Sequence, residues 1–369
     1  MTIKRRDVMK GAAALSAISF ISSPGLAADE NPFVPHPGPW RTFEVTTHLE
    51  IEARVGLVRA WVPLPAFAAT EWIRPLGDTW QAPGAKAGPR RVGPYNAAML
   101  AIEWPAGAER AVADVTSRVT TRDRAVDLAR PNRGVALSDA ERKLFTASTS
   151  LIPTDGIVKA TADRITAGAT SDLDKARRIY EWVVENTFRD PKTRGCGLGN
   201  IEFMLRTGDL GGKCADINAL YVGLARASGL PARDLYGIRV APSRFGYKSL
   251  GANSSDVTGA QHCRAEVWLS AFGWVPVDPA DVRKVALEEP PGHLAMSDAK
   301  VEAARRTLFG AWETNWIAFN DAHDVALPGS TEAPVGLLMY PQGETASGSL
   351  DCLDAQAFRY TITAHEITA

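Results

Sequence analysis

A glycine pair, Gly211-Gly212, is followed by Lys213, Cys214 and a run whose apolar residues recur at helical spacing. Ile217, Leu220, Tyr221, Leu224 and Ala227 fall close to the 3.6-residue period, and Gly229 with Pro231 supplies a stop. This stretch, residues 211–229, constrains the chain more than any other. It demands a helix that starts abruptly at a thiol and presents an apolar stripe to a core. In the first turn of a helix the backbone N–H groups are unpaired and the dipole is positive. Both favour thiolate over thiol, and the thiolate is the nucleophile. The same N–H groups can stabilise an oxyanion.

A thiol nucleophile needs a base and a group that orients the base. Residues 261–269 and 274–278 read as two strands around the turn 270–273. Alternation puts His262, Arg264, Glu266 and Trp268 on one face, with Cys263, Ala265, Val267 and Leu269 on the other as core. If Trp268 pairs with Trp274, Arg264 lies opposite Asp278, and His262 is a diagonal neighbour of Asp278. A slip of one residue would separate them. The reading therefore requires this register, with Cys263 pointing away as a structural thiol.

Around these three, Gly212, Lys213, Asp216, Asn218, Arg264 and Glu266 are the supporting candidates. Asp216 and Asn218 order the loop before Cys214 or stabilise the helix N-terminus. Lys213 either lowers the thiol pKa or is simply solvated. Arg264 and Glu266 pair with each other or flank the cleft. Trp268 and Trp274 wall a substrate groove or pack across the strands. No CxxC or HxxxH pair supports a metal, and neither metal nor cofactor is expected.

The motifs GGKCAD (211–216), LARASGLPAR (224–233), HCRAEV (262–267) and GWVPVDP (273–279) together resemble the transglutaminase-like superfamily, especially its exported bacterial members. The resemblance spans about residues 170 to 285. It implies an α+β, papain-like core in which a central helix packs on an antiparallel sheet. It also implies that Cys214 is nucleophile, His262 general base and then acid, and Asp278 the orienter. The expected reaction is acyl transfer through a thioester, with hydrolysis of peptide, isopeptide or carboxamide bonds favoured over amine transfer. The partner is then a peptide or protein carrying a carboxamide. A reading of another class is a binding or assembly module that keeps the fold without turnover.

The rest of the chain is organised around this core. Residues 1–28 combine Arg5-Arg6, a mildly apolar run and a small-residue site at Gly25-Leu26-Ala27, the pattern of a twin-arginine export signal. The expected location is the periplasm, with no membrane anchor in the mature chain. Residues 29–39 read as a proline-rich linker, 40–125 as a small antiparallel β domain, and 126–155 as a connector. Residues 156–330 form the catalytic core and 331–369 a C-terminal β extension, read as a closing hairpin. Within these, 77–95 reads as turns, 243–259 as a lid or entry loop, and 297–320 as helical. With 41 basic and 42 acidic side chains, nothing points to nucleic acid as a partner. Besides Cys214 there are Cys196, Cys263 and Cys352, so a free nucleophile leaves room for one internal disulfide at most. Cys196 is read as a buried thiol or a disulfide partner.

Overall fold

The computed structural model describes residues 32–52, 56–131 and 136–367. The leader read at residues 1–28 lies outside them. Among the described residues no helix is long and apolar enough to cross a membrane.

The helix Cys214–Ala227 is buried along its whole length. A helix apolar on one face only would not tolerate that, but Ala219, Val222, Gly223 and Ala225 fill the remaining faces. It packs on an antiparallel sheet ordered Gly273–Val277, Gln261–Leu269, Ala232–Arg239, Trp316–Asn320. The helices Gly156–Thr166, Asp172–Asn186 and Pro279–Glu288 also pack against it. Ser171 caps the second of these through the Asp174 N–H. Ser138 and Glu141 form a capping box at Asp139–Thr146. The α+β class and the central helix on an antiparallel sheet are as the sequence implies.

Two further sheets share a core built on Leu49, Val62, Leu100, Trp104, Val115 and Phe358. One is ordered Arg359–Ile367, Arg41–Ile51, Ala111–Thr121, Ile73–Gln81. The other is ordered Gly348–Leu350, Gln342–Thr345, Val58–Pro63, Ala97–Trp104, Lys86–Val92.

Three expectations are corrected here. Residues 77–95, read as turns, contribute to the strands Ile73–Gln81 and Lys86–Val92. Both are edge strands, where proline and glycine are tolerated because one side needs no ladder. The helix in 297–320 is only Ala299–Thr307, and Trp316–Asn320 is a strand on the edge of the sheet under the central helix. Its aromatic and β-branched side chains suit a pleated surface better than a helix. Finally, Arg359–Ile367 does not close a hairpin of its own. It pairs antiparallel with Arg41–Ile51, Thr46 opposite Thr363.

Candidate active site

The thiol is positioned from its carboxyl-terminal side. Asp216, in the first turn after Cys214, accepts hydrogen bonds from the N–H groups of Lys213 (3.0 Å), Leu198 (3.0 Å) and Gly199 (2.9 Å). One carboxylate thus ties the glycine-rich loop at 195–199 to the helix start. Gly197 adopts φ +92°, and a Cβ there would overlap the Asp216 carboxylate. Gly212 is needed for the same reason, since Asp216 Cβ lies 2.5 Å from where its own Cβ would be. The strand residues Gly211–Gly212 pair in parallel with Phe188–Arg189 and fix the approach to the helix. One first-turn donor is already used: the Ala215 N–H bonds to the Cys196 carbonyl at 2.9 Å.

The hairpin has the register that the reading requires, Trp268 opposite Trp274 and Ala265 opposite Val277. Asp278 follows directly, where the second strand turns into Pro279–Glu288, and its side chain caps that helix by accepting the Asp281 N–H at 3.0 Å. His262 Nε2 lies 2.8 Å from Asp278 Oδ2. Asn218, one turn beyond Cys214, spans the elements: its Nδ2 donates to the Cys263 carbonyl at 2.7 Å and to Asp278 Oδ1 at 3.3 Å. The Cys214 thiol lies close enough to His262, Cys196 and Cys263 for each of them to lower its pKa. Cys214, His262 and Asp278 therefore form one buried, connected set.

The electrostatics favour a charge-separated pair. Cys196 and Cys263 come first among the causes that hold the Cys214 thiol well below its usual pKa, and His262 adds to them against the cost of burial. Burial and Arg239 press the His262 imidazole towards neutrality. Asp281 and Asp278 overcome them, and its pKa is pushed up to about 9. Both shifts favour the thiolate–imidazolium pair over the neutral thiol and imidazole. Burial drives Asp281 up, but Arg239, His262 and Arg264 outweigh it and hold it well below the carboxylate range.

Asp281 and Arg239 are the residues that sequence reasoning missed. Asp281 Oδ1 sits 3.4 Å from His262 Nε2 and 2.6 Å from Arg239 Nη2. Nothing in the strand alternation marks Arg239, whose place follows from pairing of Ala232–Arg239 beside Gln261–Leu269. The donor atoms of His262, Asp278 and Asp281 all lie within 4.8 Å of one another, close enough to hold a cation. Arg239 and Arg264, however, already bring positive charge to both carboxylates, at 2.6 Å and 3.4 Å. The donor set does not fit a metal without displacing them.

Other candidates fall elsewhere. Arg264 and Glu266 do not pair with each other. Arg264 Nε approaches Asp278 Oδ2 at 3.4 Å, and its Nη1 donates to the Glu313 carbonyl at 2.7 Å. Glu266 is held by Arg124 and by Arg233, the latter at 2.6 Å. Alternation alone cannot choose among partners from outside the hairpin. Trp268 and Trp274 pack edge to face, 5.7 Å between centroids, with Arg233 over the Trp274 ring at 4.0 Å. They line a separate cavity with Arg124 and Trp72, away from the thiol. Cys263 is buried as expected, yet it is not a bystander, because the Cys214 helix packs on its strand and the two sulfurs meet. Cys196 is likewise a buried thiol rather than a disulfide partner, its sulfur donating to the Gln261 carbonyl at 3.3 Å. All four cysteines are free.

A cavity of about 440 Å³ opens beside Cys214 and His262. Its walls include Lys213, Arg239, Gln261, Lys284 and the loop residues Asn253 and Ser254, and none of its lining residues is aromatic.

The model of the transglutaminase-like superfamily core matches residues 159–279, a span that contains Cys214, His262 and Asp278. A protein of Haemophilus influenzae with no assigned function is 35% identical over 368 residues, covering 94% of this chain and 97% of its own. Among solved structures, a candidate cysteine protease from Cytophaga hutchinsonii superposes with a TM-score of 0.50 at 14% identity, over 90% of this chain and 100% of that one. The likeness to the periplasmic domain of TgpA from Pseudomonas aeruginosa is looser, with a TM-score of 0.34 at 14% identity over 63% of this chain and 89% of that one.

Proposed function

The chain belongs to the transglutaminase-like superfamily, and from that premise we propose that it is a cysteine-dependent hydrolase of peptide, isopeptide or carboxamide bonds. The observation that carries this reading is the connected set Cys214, His262 and Asp278, with the thiol at a helix N-terminus and the imidazole held at 2.8 Å by a buried carboxylate.

The Cys214 thiolate attacks the carbonyl carbon and the C=O π pair moves onto oxygen. The Cys214 N–H at the helix start is the donor that faces this oxyanion, since that of Ala215 is already engaged. As the tetrahedral adduct collapses, the C–N bond breaks and the leaving nitrogen takes the proton of the His262 imidazolium. A thioester remains on Cys214, and His262 is now neutral. It accepts a proton from water, which attacks the thioester, releasing a carboxylic acid and restoring the thiolate–imidazolium pair. Asp278 fixes the ring and stabilises its charged form throughout. The cavity beside the thiol is lined largely by polar and charged side chains, which supports hydrolysis over transfer to an amine.

We place this activity in the periplasm, reached by the twin-arginine route. The support is the order of the basic, apolar and small-residue segments at residues 1–28. Cell fractionation of the wild type and of an Arg5→Lys, Arg6→Lys variant tests it, export failing in the variant.

The decisive experiment for the chemistry is turnover of carboxamide and isopeptide peptides with and without a fluorescent primary amine. New acid products, absent in Cys214→Ala, are expected. Amine incorporation in their place would make the enzyme a transferase. No reaction of Cys214 with iodoacetamide, by mass spectrometry, would overturn the nucleophile itself.

A further inference from the structure

We infer that the cavity beside Cys214 is a carboxylate-binding subsite, so that the substrate carries a free carboxylate close to the bond attacked. This rests on Cys214 being the nucleophile and goes on to name the substrate class.

Four cationic side chains, Arg189, Lys213, Arg239 and Lys284, line the cavity against a single acid, Asp256. The cations differ in how they are paired. Arg189 is tied to Glu288, and Arg239 to Asp281 at 2.6 Å. Lys213 has no carboxylate partner among the described residues. The nearest for Lys284 is Glu288, at 3.8 Å, beyond hydrogen-bond reach. Asp256 is committed to the N–H of Thr258 at 2.9 Å and to its hydroxyl at 2.6 Å. Asp278 and Asp281 lie behind the imidazole, already met by Arg264 and Arg239, and do not line the cavity.

Two further observations point to an anion. Gln261 lines the same cavity, is nine-tenths buried, and its Nε2 has no hydrogen-bond partner among the described residues. A buried amide donor without an acceptor is costly, and a bound carboxylate oxygen supplies one. Lys284 is largely desolvated, and burial followed by the Arg239 charge pulls its pKa down. An anion in the cavity offsets that cost and favours its charged form. In a peptide or isopeptide the only such anion is a carboxylate, either the terminal α-carboxylate or an acidic side chain.

The test compares two alkylating agents of nearly equal size on the full chain, iodoacetate and iodoacetamide, each mapped to Cys214. The ratio of their rates, divided by the same ratio for glutathione, should be raised about tenfold or more and should fall with added salt. Lys213→Gln and Lys284→Gln should each lower the ratio several-fold, while Lys284→Arg restores it. Because each ratio is taken within one protein, a change in thiolate content cancels, and iodoacetamide labelling reports that the site is folded. A ratio near that of glutathione, or one that the lysine substitutions leave unmoved, overturns the subsite and leaves the nucleophile standing. Cys214 inert to both agents overturns the nucleophile. Protection by N-acetylalanine, N-acetylglutamic acid amide and the neutral N-acetylalaninamide then separates the two sources. The α-carboxylate or the side-chain carboxylate should slow iodoacetamide labelling, and protection by the neutral compound alone would count against the subsite.

Discussion

Asp281 sets Oδ1 3.4 Å from the same His262 nitrogen that Asp278 holds at 2.8 Å. The imidazole is therefore served by two carboxylates of unequal standing. Asp278 makes the closer contact and also caps the following helix, whereas Asp281 is committed to Arg239. Asp278→Asn should cost about 10²–10⁴ in kcat/KM, the range for losing general acid–base function. Asp281→Asn should cost less but should move the alkaline limb of the pH profile downwards, since one of the charges holding the proton on His262 is gone. Equal losses with unshifted limbs would place the two carboxylates in the same role.

The pH profile itself follows from the paired titration. His262, raised to about 9, keeps its proton from acid through neutrality and loses it as the pH climbs through that value. Cys214, lowered well below the ordinary thiol, gives up its proton at a lower pH than a free cysteine does. Hydrolysis should therefore show a broad plateau across neutral pH, falling on the alkaline side near 9 and on the acid side where the thiolate is protonated. Alkylation of Cys214 should persist well below the free-thiol pKa of about 8.5. A rate that rises only through pH 8 to 9 would mean an ordinary thiol.

Cys196 is the first of the groups that lower the Cys214 pKa. Cys196→Ala should shift the alkylation midpoint of Cys214 upwards, with Cys196→Ser, which keeps a donor, closer to the wild type. If neither moves it, the thiolate owes its stability to His262 and the helix start alone.

Asp216 holds three backbone N–H groups at once. Asp216→Ala leaves them without an acceptor, at about 1–3 kcal/mol for each group left buried and unpaired. We expect a lowered thermal midpoint together with loss of Cys214 labelling, because the loop and the helix start separate. Asp216→Asn, which retains one acceptor oxygen, should fall between. Full labelling in the alanine variant would show that Asp216 is dispensable to the site.

Away from the site, Asp234 is buried with neither carboxyl oxygen hydrogen-bonded, and burial raises it to about 7. Its folded value lies above its unfolded one, so the stability it contributes is full below about pH 4 and is lost as the pH rises through 7. A shift of this size corresponds to about 4 kcal/mol at most. Asp234→Asn should leave acid stability nearly unchanged and raise the chemical-denaturation midpoint at pH 8. A variant no more stable than the wild type at pH 8 would show that the carboxylate is accommodated there.

Much of the site is legible in sequence because it rests on two short-range periodicities. The helical spacing after Cys214 and the alternation around Trp268 and Trp274 each fix orientation within a few residues, and together they bring the His262 and Asp278 side chains to one face. What escapes is whatever arrives from another element. Glu266 alternates correctly but finds Arg124 and Arg233, and Asp281 meets an arginine on a neighbouring strand. Cys263 is assigned to the core by the same alternation, rightly, but which helix end fills that core is a matter of packing. The edge strands in 73–92 are hidden for a different reason, since an edge tolerates the proline and glycine that mark turns elsewhere.

The pairing of Arg41–Ile51 with Arg359–Ile367 bears on how the chain comes to be folded at all. Arg41 and Glu366 are 325 positions apart yet hydrogen-bonded. That sheet cannot close on the ribosome until residues 359–367 have been synthesised, and closing so long a loop is slow. Until then one side of Arg41–Ile51 is an unpaired edge, open to other chains. The strand Arg359–Ile367 is thus the one that protects Arg41–Ile51, and a nascent chain halted before Arg359 is expected to aggregate rather than wait.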